Sequence, residues 1–135
     1  MAHILIIDDD DDVRGVLALT LRRKGHQTGE ARDGREGLAM QTELPADIVI
    51  TDIVMPEMEG LETIIALLQA APKLPIIAIS GVTNAGLYLA ASRGLGAKAT
   101  LGKPILPERL LRAVDEALAW KRRAKTPQDT VKISS

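Results

Sequence analysis

The chain has 135 residues, with 17 basic and 18 acidic side chains and a formal net charge of −1 at pH 7. This balance provides no strong overall field that would attract nucleic acid or an anionic membrane surface. The absence of cysteine excludes disulfides, thiolate metal ligands and thiol nucleophiles. The length suits one domain, and no run approaches the ~20 apolar residues of a membrane span, so we expect a cytoplasmic protein.

The first predicted unit is a strand followed by a helix. The apolar run Ile4–Ile7 is typical of a strand buried on both faces of a parallel sheet, and five aspartates, Asp8–Asp12, follow it directly. From Val13 onward the apolar residues recur at helical spacing, and Gly25 stands where a left-handed cap is needed. We expect the negative charges of Asp10–Asp12 to stabilise the positive, N-terminal end of this helix.

The middle of the chain predicts a strand that ends in one carboxylate. A weak strand over Gln27–Ala31 and a short helix over Arg35–Thr42 precede it. The segment Asp47–Asp52 then has the length and apolar content of a strand. Pro56 has no N–H for a sheet ladder and argues against its continuation past Asp52. Asp52 is therefore expected at the carboxyl edge of a sheet, where α/β folds bind ligands.

The second half repeats the alternation of helix and strand. Two more predicted strands are followed by polar groups, Ser80 after Ile76–Ile79 and Lys103 after a short strand near Ala97–Leu101. From Lys121 the chain is polar, and we expect it to be disordered or loosely attached. The helices of this half are predicted over Leu61–Leu68, Ala85–Arg93 and Pro107–Trp120.

Strand and helix thus alternate five times. This pattern predicts an α/β fold, a doubly wound sheet of five parallel strands with five helices on its two faces. In the flavodoxin-like strand order 2-1-3-4-5, strands one, three, four and five are neighbours with their carboxyl ends at one edge. The polar residues at these ends would converge on one pocket; they are Asp8, Asp9, Asp52, Ser80 and Lys103.

The predicted pocket has the groups needed for phosphoryl transfer. Three carboxylates close together repel one another, and a divalent cation relieves that repulsion. Oxygen ligands without histidine or cysteine suit a hard ion such as Mg²⁺. The ammonium and the hydroxyl supply donors for an anion. Together these groups could move a phosphoryl group onto Asp52 as the nucleophile.

Four motifs, in this order, make the chain resemble the response regulator receiver domains of two-component signalling: ILIIDD, DIVITDIVMPEMEG, IIAISG and LGKPI. The resemblance extends from Ile4 to about Trp120. It implies that Asp52 is the phosphoacceptor, that Ser80 bonds a phosphoryl oxygen, and that Lys103, before a cis proline, pairs with the acids and then with the phosphoryl group. The Mg²⁺ ligands that it implies are Asp8, Asp9, Asp52 and the backbone carbonyl of Val54.

The resemblance also implies partners and domain limits. We expect a receiver domain over residues 1–122 and a disordered or loosely packed tail over residues 123–135. The phosphoryl donor would be a histidine kinase or a histidine phosphotransfer protein. The chain would be a stand-alone monomer or weak dimer without a DNA-binding domain, which catalyses only its own phosphorylation and dephosphorylation and signals to a downstream protein. Family members usually carry an aromatic residue at the position of Thr100, so any switch here must use other groups.

Two other functions account for fewer of these residues. The spacing Asp8-x-Asp10 after a first strand resembles the start of a haloacid-dehalogenase-type phosphatase, but that function leaves Asp52 without a role and the chain lacks room for a cap. A flavin carrier would share the fold, but the aspartates after the first strand would repel an anionic cofactor.

Overall fold

The computed structural model describes residues 1–53, 60–81 and 85–124, with only the backbone described at residues 85, 87–89 and 124. Five strands alternate with five helices along the chain. The strands are β1 (His3–Ile7), β2 (Gln27–Ala31), β3 (Ile48–Asp52), β4 (Ile76–Ser80) and β5 (Ala99–Gly102). The helices are α1 (Asp11–Arg23), α2 (Gly34–Glu43), α3 (Gly60–Ala70), α4 (Ala85–Leu95) and α5 (Pro107–Ala124).

The strands form one parallel sheet in the order β2-β1-β3-β4-β5. The predicted α/β fold with flavodoxin-like strand order is therefore confirmed. In register, Ile7 pairs with Thr51, Asp52 with Ile79, and Ser80 with Gly102. The residues that follow β1, β3, β4 and β5 consequently meet at one edge of the sheet.

The sheet buries one aliphatic cluster on each face. Successive side chains of a strand point to opposite faces, so that Ile4 and Ile6 pack with α1 and α5, whereas Leu5 and Ile7 pack with α2 and α3. The chain contains no phenylalanine, and its core is built mainly from isoleucine, leucine, valine and alanine. Full burial of one such larger aliphatic side chain contributes about 1.5–3 kcal/mol.

Helix α1 begins at Asp11, two residues before the start suggested by its apolar pattern. Asp10 is the N-cap, because its Oδ1 accepts hydrogen bonds from the backbone N–H groups of Asp12 at 2.9 Å and Val13 at 3.1 Å. Asp11 and Asp12 lie in the first turn, where negative charge interacts favourably with the positive end of the helix dipole. Gly25 follows the helix with a φ of +89° and confirms the predicted left-handed residue.

Helix α5 is longer than the sequence pattern predicted and continues four residues past Trp120 to Ala124. Lys121 is half-buried, and its Nζ lies 3.3 Å from the carbonyl oxygen and 3.4 Å from Oδ1 of Asp47. Lys98 Nζ lies 4.0 Å from the centroid of the Trp120 ring, a cation–π contact. The last turns of α5 are therefore attached to the sheet. Within residues 1–53, 60–81 and 85–124, no helix is long and apolar enough to cross a membrane.

The start of α3 packs so closely on β3 that only glycine fits. A Cβ atom on Gly60 would overlap Ile53 Cα and the carbonyl oxygen of Asp52, whereas a Cβ atom on Gly15, within α1, would meet no atom within 4 Å. We expect Gly60→Ala to lower the free energy of unfolding by about 1–3 kcal/mol through overpacking. We expect Gly15→Ala to raise it by about 0.5–1 kcal/mol through helix propensity. Denaturant unfolding of both variants checks this; equal stabilities would contradict it.

Candidate functional site

The turn after β1 places one aspartate inside the protein and the next at its surface. Asp8 is fully buried, and its backbone N–H donates to the carbonyl oxygen of Ala31 at 3.0 Å. Its Oδ1 accepts the backbone N–H of Asp10 at 2.9 Å. Asp9 is exposed at the rim of the same turn. The acid pair predicted from the sequence thus comprises one buried and one accessible carboxylate.

Asp52 is the last residue of β3 and is almost fully buried. The chain leaves the sheet directly after it, where the Ile53 N–H donates to the Ile79 carbonyl at 3.1 Å and the Gly60 N–H donates to the Ile53 carbonyl at 3.1 Å. These bonds hold the backbone on the C-terminal side of Asp52. The strand therefore ends at the aspartate, as its sequence predicted.

Lys103 joins the two acidic strand ends. It follows β5, its backbone N–H donates to the carbonyl oxygen of Ser80 at 2.8 Å, and the Lys103–Pro104 peptide bond is cis, as the resemblance implied. Its Nζ lies 2.9 Å from Asp8 Oδ2 and 3.2 Å from Asp52 Oδ2. The contact with Asp8 is an ion pair. The predicted convergence of residues from β1, β3 and β5 is present.

The surroundings of Lys103 favour its charged form. Burial lowers the pKa of Lys103, but the contact with Asp8 and the negative charges of Asp52 and Asp8 outweigh burial, so the net shift of this pKa is upward. The ammonium compensates two carboxylates that would otherwise be buried without a counter-charge, which is costly in a protein interior.

Three carboxylates form a group that could hold a cation. One oxygen from each of Asp8, Asp9 and Asp52 lies within 4.8 Å of the others, and no comparable group is found elsewhere in the described part of the chain. One ammonium opposes these three negative charges, so a hard divalent ion fits the charge and the oxygen donors of the site. Val54, whose carbonyl was expected to complete the ligands, lies outside the described residues.

Ser80 is the last residue of β4 and is buried. It lies beside Gly102 in the sheet register, and its carbonyl oxygen accepts the Lys103 N–H. Gly81, the next residue, gives room to the lysine, because a Cβ atom there would lie 3.0 Å from Lys103 Cβ. The β4 end thus supports the position of the lysine as well as presenting a hydroxyl residue at the predicted edge.

Sequence reasoning missed Arg14. Its guanidinium contacts the acidic turn through the carbonyl oxygen of Asp8 at 2.8 Å and is paired with Asp11 and Glu30. The i,i+3 spacing of Asp11 and Arg14 was visible in the sequence. The contact with Glu30, sixteen residues away on β2, required the tertiary structure.

Thr100 lies half-buried on β5 at the edge of a depression of about 410 Å³. The charged residues around this depression are Arg93, Lys98, Arg109, Arg112 and Glu116. Four cations therefore surround one acid on this face, although the whole chain has a net charge of −1. No aromatic ring is available at position 100 to change orientation on phosphorylation.

Comparison with known proteins identifies the class to which this site belongs. Residues 4–115 match the sequence profile of the response regulator receiver domain, and the chain belongs to that family. Receiver domains bind Mg²⁺ through an acidic cluster, take phosphoryl groups from histidine kinases or phosphotransfer proteins, and are generally not enzymes that turn over a separate substrate.

Individual relatives agree with this assignment. The chain is 34% identical over 115 residues to the chemotaxis protein CheY of Thermotoga maritima. The matched region covers 84% of this chain and 95% of that protein. It is 32% identical over 117 residues to the transcriptional regulatory protein GlrR of Escherichia coli K12, but it spans only 26% of that protein. Among solved structures, the receiver domain of NtrX from Brucella abortus superposes with a TM-score of 0.82 at 29% identity, covering 86% of this chain and 98% of that one.

The raised pKa of Lys103 predicts how stability changes in alkaline solution. The ion pairs of Lys103 stabilise the fold fully below the unfolded-state pKa of about 10.4 and lose their effect as pH rises through the higher folded-state pKa. We expect wild type to exceed Lys103→Met in free energy of unfolding by a constant amount between about pH 7 and 9, and the difference to shrink above about pH 10.4. Metal-free denaturant titrations measure this, with exposed Lys73→Met as the control. If the difference in free energy of unfolding stays the same at pH values above those at which Lys103 loses its proton, the ion-pair assignment is contradicted.

Proposed function

We propose that this chain is a response regulator receiver that accepts a phosphoryl group on Asp52 from a phosphohistidine. The donor is a histidine kinase or a histidine phosphotransfer protein, the reaction depends on Mg²⁺, and the signal passes on through changed contacts with a downstream protein. The observation that carries this proposal is the position of Lys103 Nζ, 2.9 Å from Asp8 and 3.2 Å from Asp52. A cation that reaches both acids can neutralise a phosphoryl group bound between them.

The reaction follows from the groups around Asp52. An oxygen of the Asp52 carboxylate attacks phosphorus, the new O–P bond forms as the P–N bond to the donor imidazole breaks, and the bonding pair leaves with the imidazole nitrogen. Lys103 moves from the free carboxylate to the phosphoryl oxygens. Ser80 donates its hydroxyl to one of those oxygens. Asp8, Asp9 and Asp52, with the backbone carbonyl of Val54, would hold Mg²⁺, which would neutralise part of the phosphoryl charge.

The geometry argues against the phosphatase alternative. In that function Asp8 would be the nucleophile and Asp10 a nearby acid. Asp8 is instead fully buried against Lys103, and Asp10 uses Oδ1 to cap α1. The side chain of Asp10 thus has a structural partner, whereas Asp52 lies at the converged strand ends without a role in that mechanism.

An apolar groove beside Lys103 suits a helix of the phosphodonor. The groove has a volume of about 270 Å³ and lies between α1 and the segment after β5. Val16 on its α1 side is 63% exposed, and Leu106, next to the lining residue Ile105, is 50% exposed. An amphipathic helix that places its apolar face here would bring its histidine towards Asp52. The lining residues are Asp12, Val13, Val16, Leu17, Lys103, Pro104 and Ile105.

Phosphorylation by a small donor tests the central claim. Incubation with acetyl phosphate and Mg²⁺ should add one phosphoryl group that is labile to alkali, and chelation of the metal should prevent it. Asp52→Asn should abolish the labelling, while exposed Asp115→Asn on α5 should retain it. Mass spectrometry of the intact chain measures both. Repeated turnover of a generic phosphate ester, with labelling that survives Asp52→Asn, would favour a phosphatase instead.

The groove is tested by comparing a protein donor with a small one. Val16→Gln should slow transfer from a phosphorylated histidine phosphotransfer protein, because it places an amide in the apolar groove, and should leave labelling by acetyl phosphate unchanged. Leu19→Gln is the matched control, since Leu19 is exposed on the same helix but does not line the groove. Initial transfer rates measure the effect. Equal rates for the two variants with the protein donor would show that this groove does not receive it.

A further inference from the structure

Arg14 is the cation of α1 that contacts the acidic turn. Its guanidinium makes three polar contacts with three different segments. Nη1 donates to the carbonyl oxygen of Asp8 at 2.8 Å, Nη2 donates to Asp11 Oδ1 at 2.6 Å, and Nε donates to Glu30 Oε1 on β2 at 3.3 Å. The planar fork of the guanidinium holds these directions together, which a lysine could not do.

The side chain of Arg14 is well packed and remains charged. It is 12% exposed. Burial lowers the pKa of Arg14, but hydrogen bonds and charges from Asp11 and Glu30 outweigh burial and raise it. The guanidinium is thus a fixed group, in contrast to a solvated surface arginine.

The position of the Asp8 carbonyl decides where Asp9 lies. This carbonyl belongs to the peptide group that joins Asp8 to Asp9. The Asp8 side chain has its own contacts, with the Asp10 N–H and with Lys103. Within the described residues, the carboxylate of Asp9 makes no hydrogen bond or ion pair, so its position is set by the backbone that carries it.

We infer that Arg14 is a positioning residue for the cation site. It holds the peptide group between Asp8 and Asp9 so that the Asp9 carboxylate already lies near those of Asp8 and Asp52 before Mg²⁺ binds. The inference rests on the metal requirement of the proposed function and adds a residue that contacts neither the ion nor the phosphoryl group. Fixing the ligands in advance lowers the cost of ordering them when the ion binds.

Electrostatics alone would give the opposite result. Arg14 carries one positive charge, and its partners Asp11 and Glu30 carry one negative charge each. Removal of the guanidinium would leave Asp11 without this ion pair and Glu30 with the 3.9 Å contact to Arg22, and the added negative field near the cation site would attract Mg²⁺. Preorganisation therefore predicts weaker binding in an Arg14 variant, and a purely electrostatic role predicts tighter binding.

Calorimetric titration of Mg²⁺ into the unphosphorylated full chain distinguishes the two roles. We expect Arg14→Met to raise the dissociation constant about tenfold, the low end of the effect for residues that orient metal ligands. Arg22→Met is the matched control. Arg22 lies on the same helix, its Nη1 is 3.9 Å from Glu30 Oε2, and it has no contact with the acidic turn. The control removes the same charge and should bind Mg²⁺ as wild type does.

A charge-conserving variant protects the test against loss of folding. Arg14→Lys keeps the positive charge but loses the planar fork of the guanidinium, so positioning predicts weaker Mg²⁺ binding and a purely electrostatic role predicts unchanged binding. Arg14→Lys should fall between wild type and Arg14→Met. At saturating Mg²⁺, the labelling rate of Arg14→Met with acetyl phosphate should return to the wild-type rate, because the guanidinium contacts no reacting atom.

Two outcomes separate an error in the role of Arg14 from an error in the proposed function. If wild type binds Mg²⁺ and is labelled, but Arg14→Met and Arg14→Lys bind the ion as tightly as Arg22→Met or more tightly, Arg14 is not a positioning residue. If wild type itself neither binds Mg²⁺ nor accepts a phosphoryl group, the proposed function is wrong.

Discussion

The ion-pair contacts of Lys103 with two buried aspartates are the interaction on which the site depends. Two carboxylates held inside a protein are costly unless a cation compensates them. Asp8 follows β1, Asp52 is the last residue of β3, and Lys103 follows β5. Their pairing therefore requires that these three strands end at one edge of the sheet. The sheet order and register satisfy this requirement. In the proposed function, the same ammonium moves from these carboxylates to a phosphoryl group on Asp52.

The pocket separates buried groups from accessible ones. Asp8, Asp52 and Ser80 are buried at strand ends and are held by the sheet. Asp9 is exposed and depends on the backbone of the acidic turn, which Arg14 contacts from α1. In the proposed function, this division leaves one side of the site accessible to a cation and a phosphodonor, while the other side is buried.

The surfaces around the pocket differ in chemistry. An apolar groove lies on the α1 side of Lys103, whereas the depression beside Thr100 on β5 is surrounded by four cations and one acid. The proposed donor docking and the proposed change of contacts after phosphorylation can therefore use different faces. Since Thr100 offers no ring that could turn inward, the proposed switch would have to change this face through backbone movement or through Ser80.

The sequence by itself determined the order and type of the elements and the polar residues that lie together at one edge of the sheet. Apolar runs such as Ile4–Ile7 and Ile76–Ile79 indicate strands that are buried on both faces. When such strands are parallel, the polar residues that directly follow them lie at one edge of the sheet. Local signals also determined the left-handed residue Gly25, which follows Lys24, the C-cap of α1. The tertiary structure alone decided the contact of Arg14 with Glu30, the attachment of Lys121 to Asp47, and the cationic surroundings of Thr100. These depend on side chains that are distant in sequence and come together only when helices pack on the sheet, and no periodic pattern records such pairings.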